Sequence, residues 1–173
     1  MNRDENLENL PEATTVFVDA NIFLHHAFGT NNNSIEFLKR VEKGSVKAYT
    51  SVLVLEEVFF KLLMQQASNY LEKVNVEKVK AFLKEERNRD KIFGPIFQYL
   101  KYIKILKSLG LKVIEVRDED IEMALNLARK WGIIAADAFH LAVMQRKLIV
   151  HLISDDSDFE RAEDINLWRP VHV

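Results

Sequence analysis

Short apolar runs separated by helix-like stretches make up most of this chain. Four runs predict buried strands, at residues 15–19, 46–50, 111–116 and 148–154. A fifth, LWRPVHV at residues 167–173, predicts a last edge strand, because Pro170 cannot donate a ladder hydrogen bond in a central strand. Between the runs, apolar residues recur at every third or fourth position, as on a helix that faces a core. This alternation predicts an α/β fold with a mostly parallel sheet.

Turn and cap residues mark where the helices begin and end. Ser51 is a suitable N-cap for a helix that follows the second strand, and Gly44 stands where the preceding helix should end. Asp118 predicts the start of a later helix that stops near Gly132, and residues 135–147 predict a further one.

Residues 68–110 carry no strand signal and predict a helical arm inserted between the second and third strands. The charge-rich sequence KEERNRD and the pair Gly94-Pro95 are expected to interrupt it. A lysine stripe at helical spacing lies near its end, formed by Lys101, Lys104 and Lys107. We favour a solvated face for this stripe. The alternative is a track for a phosphate backbone, with Tyr99 and Tyr102 as stacking surfaces.

Acidic residues follow the predicted strands or begin the helices after them. Asp19 ends VFVDAN, Glu57 lies in SVLVLEEV, Asp137 opens DAFHLAVM, and Asp156 lies in SDDSDF. Because the carboxyl ends of parallel strands meet at one sheet edge, these acids can converge there. Crowded carboxylates resist ionisation unless a cation lies among them, so the pattern predicts an Mg²⁺ or Mn²⁺ site.

Three of the four acids also have a simpler interpretation. Asp19 can cap a helix, Glu57 can be solvated, and the aspartates after the fourth strand can form an acidic turn in water. Asp137 is different, because the apolar helix around it offers an ionised acid almost no partner except His140. In the doublets Glu56-Glu57 and Asp155-Asp156, the sequence does not decide which of the two adjacent acids belongs to the site.

Composition narrows the class of protein. The 173 residues are 48% apolar, which suits one domain spanning residues 1–173. The absence of cysteine excludes disulfides and thiolate ligands, so a metal would need oxygen or imidazole. The formal charge of −2 ordinarily argues against a nucleic-acid partner. If a metal neutralised the four acids, the remaining charge would be mildly positive, which would permit such a partner without supporting it. The polar N-terminal MNRDENLENLPEA and the lack of a long apolar run predict an intracellular protein without a secretory signal or membrane span.

The motifs VFVDANIF, SVLVLEEVFFKL, DAFHLAVM and SDDSDF resemble, in order and context, the PIN-domain nuclease family. The resemblance implies a three-layer α/β/α sandwich and a magnesium- or manganese-dependent endoribonuclease, as in toxin–antitoxin pairs. It further implies RNA as substrate, an antitoxin partner, a homodimer and a cytoplasmic location. The implied metal-site acids are Asp19, Glu57, Asp137 and Asp156, with Asp158 as a further ligand and Asn21 and Ser154 in support. The helical arm is longer than in a compact toxin.

Two other functions compete with this one. A phosphatase resembling the haloacid dehalogenase superfamily would also use a strand-end aspartate, but Asn21 stands where that family has its second aspartate. A PIN-like module that binds RNA or protein without catalysis is the second. Histidines at positions 25, 26, 140 and 151 have poor spacing for a shared metal, so we expect hydrogen-bonded structural roles for them.

Overall fold

A computed structural model describes residues 5–172 of the chain. Residues 1–4, which begin the polar N-terminal segment, and Val173, which ends the predicted last strand, lie outside the described residues. The strands are β1 (Glu5–Asn6), β2 (Thr15–Val18), β3 (Lys47–Ser51), β4 (Lys112–Ile114), β5 (His151–Ile153) and β6 (Asn166–Arg169). The α-helices are α1 (Ala20–Phe28), α2 (Asn32–Glu42), α3 (Val52–Ala67), α4 (Val76–Leu83), α5 (Glu86–Leu109), α6 (Glu119–Trp131) and α7 (Ala135–Arg146).

The six strands form one sheet in the order β1-β6-β5-β2-β3-β4, and every strand pair in residues 5–172 is parallel. The predicted α/β/α class is therefore confirmed. Strand order reverses at β2, which pairs with β3 on one side and with β5 on the other. Such a switch point opens a crevice outside the carboxyl ends of the two strands. Asp19 follows β2 and Ser154 follows β5, so both flank this crevice.

The predicted edge position of the last strand is wrong. The short strand β1 pairs with Trp168 and Arg169 and covers β6 on its outer side. The polar N-terminal sequence gives no strand signal, because its two paired residues contribute backbone hydrogen bonds and little apolar burial. Pro170 lies just beyond β6, where its missing N–H removes no ladder bond.

The predicted break at Gly94-Pro95 is also wrong, because α5 runs through Pro95 from Glu86 to Leu109. An interior proline costs a helix roughly 3 kcal/mol. Ile92, Ile103 and Leu106 on the same helix are almost fully buried in the core, and this apolar burial offsets the cost. The arm at residues 68–110 therefore packs on the domain through the inner face of α5. None of the described helices has the length and apolar character needed to cross a membrane.

Candidate active site

Asp19 stands at the N-cap position of α1, but its side chain makes no capping hydrogen bond. Its Oδ2 accepts hydrogen bonds from Ser154 Oγ at 2.7 Å and from Asn21 Nδ2 at 2.8 Å. The residue is 5% exposed, and burial raises the pKa of its carboxyl group. Its side chain is therefore fixed by the ends of β2 and β5, and the helix-cap interpretation does not describe it.

The same polar side chains hold the loop after β5. Asn21 Oδ1 accepts the backbone N–H of Asp155 at 3.0 Å, and Ser154 Oγ accepts that of Asp156 at 3.0 Å. Asp156 Oδ1 then accepts the N–H of Asp158 at 2.8 Å and caps a short 3-10 helix. Asn21 and Ser154 thus connect Asp19 to the backbone that carries the late aspartates.

Glu57 and Asp137 approach this edge from α3 and α7. Glu57 is half-buried while its neighbour Glu56 is exposed, so the helix turns Glu57 toward the acids. Burial is the main cause of the raised pKa of Glu57, and the charge of Asp19 adds to it. In Asp137, burial followed by the charges of Asp19, Asp156 and Glu57 raises the pKa to about 7. The structure therefore brings all four predicted acids into one electrostatic cluster.

The two adjacent aspartates after β5, Asp155 and Asp156, have different surroundings. Asp155 lies near three basic side chains: His172 Nε2 at 2.7 Å, His25 Nε2 at 3.6 Å and Arg169 Nη2 at 3.8 Å. Asp156 instead adds its negative charge to Asp19, Glu57 and Asp137. Asp156, and not Asp155, is therefore the member of the doublet that belongs to the acidic cluster.

Asp158 lies at the margin of the cluster. Its charge contributes to the raised pKa of Asp137, while its own carboxylate forms an ion pair with Arg161 at 3.0 Å. This cation partner distinguishes Asp158 from the other acids. In residues 5–172, no lysine or arginine forms an ion pair with the four clustered acids: Asp19, Glu57, Asp137 and Asp156.

The donor chemistry of the cluster fits Mg²⁺ or Mn²⁺, which prefer carboxylate oxygens. Asp19, Glu57 and Asp137 have raised pKa values and form no lysine or arginine ion pair in residues 5–172, so a divalent ion would stabilise their ionised forms. Within the described part of the chain, no three histidine, aspartate or glutamate side chains stand close enough to hold an ion as they are. The side chains would therefore have to turn toward a shared ion.

Three of the four candidate histidines have the structural contacts that we expected. His25 pairs with Ser34 Oγ at 3.0 Å, His26 stacks on Tyr102, and Trp168 Nε1 donates to His151 Nδ1 at 3.0 Å. His140 does not, because neither of its ring nitrogens has a hydrogen-bond partner in residues 5–172. The expected structural hydrogen bond of His140 is therefore wrong.

The stacking role weighed for Tyr99 and Tyr102 is not supported either. Tyr99 donates its hydroxyl to the carbonyl of Phe23 at 2.7 Å, and Tyr102 donates to Glu42 at 2.8 Å. Both rings pack against His26 and are half-buried. They fasten α5 to α1 and α2, so an incoming base would not find free aromatic faces here. The lysines of the stripe remain exposed.

Sequence reasoning missed the basic residues around Asp155. Arg169 ends β6 and His172 follows it, yet both lie beside the loop after β5 because β5 and β6 are neighbours. Arg169 Nη2 also donates to the carbonyl of Asp155 at 2.9 Å. No local sequence pattern predicts these contacts. The pairing of the two strands would have indicated them, because it places the residues after β6 beside those after β5.

Comparisons with known proteins agree with this geometry. The family model described as PIN domain matches residues 16–165. Among solved structures, the chain is similar to the Rickettsia felis VapBC2 structure bound to a DNA fragment from its promoter (TM-score 0.54, 16% identity, 91% of this chain and 100% of that chain). It is similar to a Klebsiella pneumoniae toxin–antitoxin complex (0.56, 16%, 91% and 99%). It is also similar to Mycobacterium tuberculosis VapC20, a sarcin–ricin loop cleaving toxin (0.55, 20%, 86% and 95%). No curated protein matches the chain.

Proposed function

The chain belongs to the PIN domain family, as its four acidic motifs predicted, and from that membership we propose that it is a metal-dependent endoribonuclease. One observation carries the proposal. Acids from four distant segments meet beside the switch point of a parallel sheet without a lysine or arginine ion pair in the described residues. A cluster of this kind raises the free energy of the folded chain unless a ligand uses it.

The residues would divide the work as follows. Asp19, Glu57, Asp137 and Asp156 would hold Mg²⁺ or Mn²⁺, with Asp158 at the margin. Ser154 and Asn21 fix the orientation of Asp19 through two hydrogen bonds to Oδ2. A bound divalent ion supplies Lewis acidity toward a phosphate oxygen and activates water for attack on phosphorus. No side chain has to form a covalent intermediate.

Asp137 has a second property that bears on the chemistry. Because its pKa lies at about 7, its carboxyl group exchanges a proton near neutral pH when no cation is present. Cation binding would favour the ionised carboxylate, so the ion and the proton compete for this site. Metal uptake should therefore weaken as the pH falls below neutrality.

The toxin role rests on family and fold similarity. The Klebsiella pneumoniae structure is a toxin–antitoxin complex, and VapC20 is a toxin that cleaves the sarcin–ricin loop. We extend this role to the present chain as a toxin that acts on cellular RNA in the cytoplasm. A haloacid-dehalogenase-like phosphatase is disfavoured, because Asn21 bonds to Asp19 and Ser154 and cannot serve as the acid of that family.

An antitoxin would need an apolar surface, and α3 and α5 provide one. A groove of about 520 Å³ lies between them. Its apolar lining consists of Val52, Leu55, Phe59, Phe60, Leu63, Phe93 and Ile96. An amphipathic antitoxin helix could place its apolar face in such a groove. Retention of a purified antitoxin by the wild-type chain, and its loss in Phe60→Glu, would test this assignment.

A second apolar surface supports the proposed homodimer. It lies where the first turns of α3 and α7 meet the segment after β4, and it includes Leu53, Val116, Ala136 and Phe139 around a space of about 640 Å³. Light scattering should give twice the 20.1 kDa mass of one chain. A monomeric mass at micromolar concentration would contradict the dimer without affecting the nuclease proposal.

The adjacent glutamates of α3 allow a matched test of the nuclease. We expect Glu57→Gln, like Asp137→Asn, to abolish Mn²⁺-stimulated RNA cleavage. Glu56→Gln removes the same charge one residue away, on the exposed side of the helix, and should cleave at the wild-type rate. A panel of RNA, single-stranded DNA and small phosphoesters, with and without Mn²⁺, would identify the substrate class.

Three outcomes would contradict the proposal. Equal cleavage by wild type and Glu57→Gln would mean that the activity does not use this site. Binding of RNA without cleavage at any Mn²⁺ concentration would instead favour the non-catalytic module. Cleavage of phosphoesters alone would favour a phosphatase.

A further inference from the structure

His140 is the one histidine in residues 5–172 that lacks a hydrogen-bond partner at both ring nitrogens. It lies on α7, three residues after Asp137, and is 1% exposed. Buried polar atoms in folded proteins nearly always have partners, because an unpaired one destabilises the fold. A buried imidazole with two unpaired nitrogens is therefore a feature that needs an explanation.

The surroundings of His140 point one ring edge toward the acidic cluster. Its Nε2 lies 3.9 Å from Asp19 Oδ1, which is too far for a hydrogen bond. The charge of Glu57 also acts on the imidazole, so this acid is a second near neighbour. On another side, the Phe17 ring lies 5.9 Å away between centroids and offers no polar partner. Asp19 Oδ1 is therefore the polar atom that the structure places nearest to this nitrogen among the contacts recorded in residues 5–172.

Within residues 5–172, both side-chain hydrogen bonds to Asp19 fall on the same carboxylate oxygen. Ser154 and Asn21 donate to Oδ2, while Oδ1 faces His140 across the 3.9 Å gap. A small rotation of the carboxylate or the imidazole would close that gap. The neutral imidazole produced by burial carries one N–H, which can reside on Nε2 and donate to a carboxylate.

We infer that His140 is a positioning residue, which donates its Nε2–H to Asp19 when the acids turn to hold a divalent cation. The inference rests on the proposed metal site. Groups that hydrogen-bond to metal-ligating side chains orient them, and their loss typically weakens metal affinity 10–100-fold. In the metal-free protein the same group is unpaired, so it should lower stability there and raise affinity for the ion.

A residue that only fills space would behave differently from a positioning residue. His140→Leu removes the unpaired nitrogens and keeps a buried side chain of similar size. We expect its metal-free melting temperature to equal or exceed that of the wild type, and its Mn²⁺ dissociation constant to rise about 10–100-fold. His140→Gln keeps an Nε2–H donor at similar reach and should recover most of that affinity.

The experiment is a Mn²⁺ titration followed by electron paramagnetic resonance, paired with thermal unfolding of each metal-free protein. His140→Phe is a second apolar variant that keeps a planar ring, and it provides the same comparison if the leucine variant does not fold. His151→Leu is the matched control, because His151 has a partner in Trp168 away from the acids. This control should lose stability and keep its Mn²⁺ affinity.

Wild-type Mn²⁺ affinity in a folded His140→Leu or His140→Phe variant would overturn the inference. A glutamine variant as weak as the leucine variant would also overturn it, because the donor would then not matter. Failure of the nuclease proposal looks different: wild type would bind Mn²⁺ in a Glu57-dependent way and yet cleave no RNA. A wild-type protein that binds no Mn²⁺ would remove the basis of both.

Discussion

Two buried carboxylates lie beside opposite ends of α7 and have opposite electrostatic surroundings. Near the C-terminal end, Asp120 of α6 is fully buried and accepts hydrogen bonds from Arg146 Nε at 2.7 Å and Nη2 at 3.0 Å. These bonds hold the pKa of Asp120 below its usual value. At the N-terminal end, Asp137 has no lysine or arginine ion pair in residues 5–172, and its pKa rises to about 7. Asp120 therefore has a cationic partner within the fold, whereas Asp137 has no lysine or arginine partner in residues 5–172.

This difference separates a structural acid from the acid that we propose to be functional. The Asp120–Arg146 pair joins α6 to α7, and Arg146 Nη2 also donates to the carbonyl of Glu115 at 2.7 Å after β4. Such a pair fixes the positions of α6 and α7 relative to each other and neutralises the buried carboxylate. The carboxylates around Asp137 have no lysine or arginine ion pair in residues 5–172, which makes them suitable for binding a cation from solution. Charge compensation within the chain is therefore a better guide to function here than burial alone.

The largest predicted effect comes from breaking the compensated pair. Arg146→Leu would leave Asp120 buried without its cation, so we expect the free energy of unfolding to fall by about 3–5 kcal/mol. Urea unfolding of the metal-free protein would measure the change. Asp120→Leu combined with Arg146→Leu removes both charges and should recover most of the loss. A single variant as stable as the wild type would mean that the pair is not structural.

The second prediction concerns Asp137, which has no cation partner in residues 5–172. Its substitution should stabilise the metal-free protein, whereas Arg146→Leu should destabilise it. Asp137 binds its proton more tightly in the folded state than in the unfolded state, where its pKa is near 3.8. Its favourable contribution is therefore complete below about pH 4 and disappears as the pH rises through about 7. Asp137→Asn removes this titration, so the metal-free variant should be more stable than the wild type at pH 8, by roughly 1–2 kcal/mol after solvent screening.

The pH dependence of this difference provides the check. Melting temperatures of wild type and Asp137→Asn, measured with a chelator from pH 4 to pH 8, should diverge as the pH rises. Adding Mn²⁺ at pH 8 should stabilise the wild type more than the variant. A constant difference across the pH range would show that Asp137 does not titrate near neutrality.

Sequence patterns predicted the parts of this molecule that depend on local chemistry. The apolar runs around Val16 and Leu152 predicted central strands, and strand-end positions predicted that Asp19 and Asp156 would approach each other. Patterns failed where tertiary burial overrides local preference, as at Pro95 inside α5. They also failed for β1, whose two residues pair with β6 through backbone atoms that every sequence possesses.

Sequence patterns also could not decide which residue of each acidic doublet, Glu56-Glu57 or Asp155-Asp156, faces the acidic cluster. Helical periodicity alone did not choose between Glu56 and Glu57, because the choice depends on how α3 is rotated against the sheet. The choice between Asp155 and Asp156 depends on Arg169 and His172, which only the pairing of β5 with β6 brings near. The unpaired nitrogens of His140 are likewise a property of its neighbours in space and have no sequence signal.

The smallest predicted effect compares two adjacent acids, Asp155 with its basic partners and Asp156 in the acidic cluster. Asp155→Asn would weaken contacts with His172, His25 and Arg169, so we expect unfolding free energy to fall by about 0.5–1 kcal/mol. Asp156→Asn can still cap the following 3-10 helix, and it removes a charge that repels Asp19 and Asp137. This variant should lose no stability without metal at pH 7.5. Thermal unfolding of both proteins would measure the difference, and losses of equal size would contradict the assignment of Asp155 to the fold and Asp156 to the site.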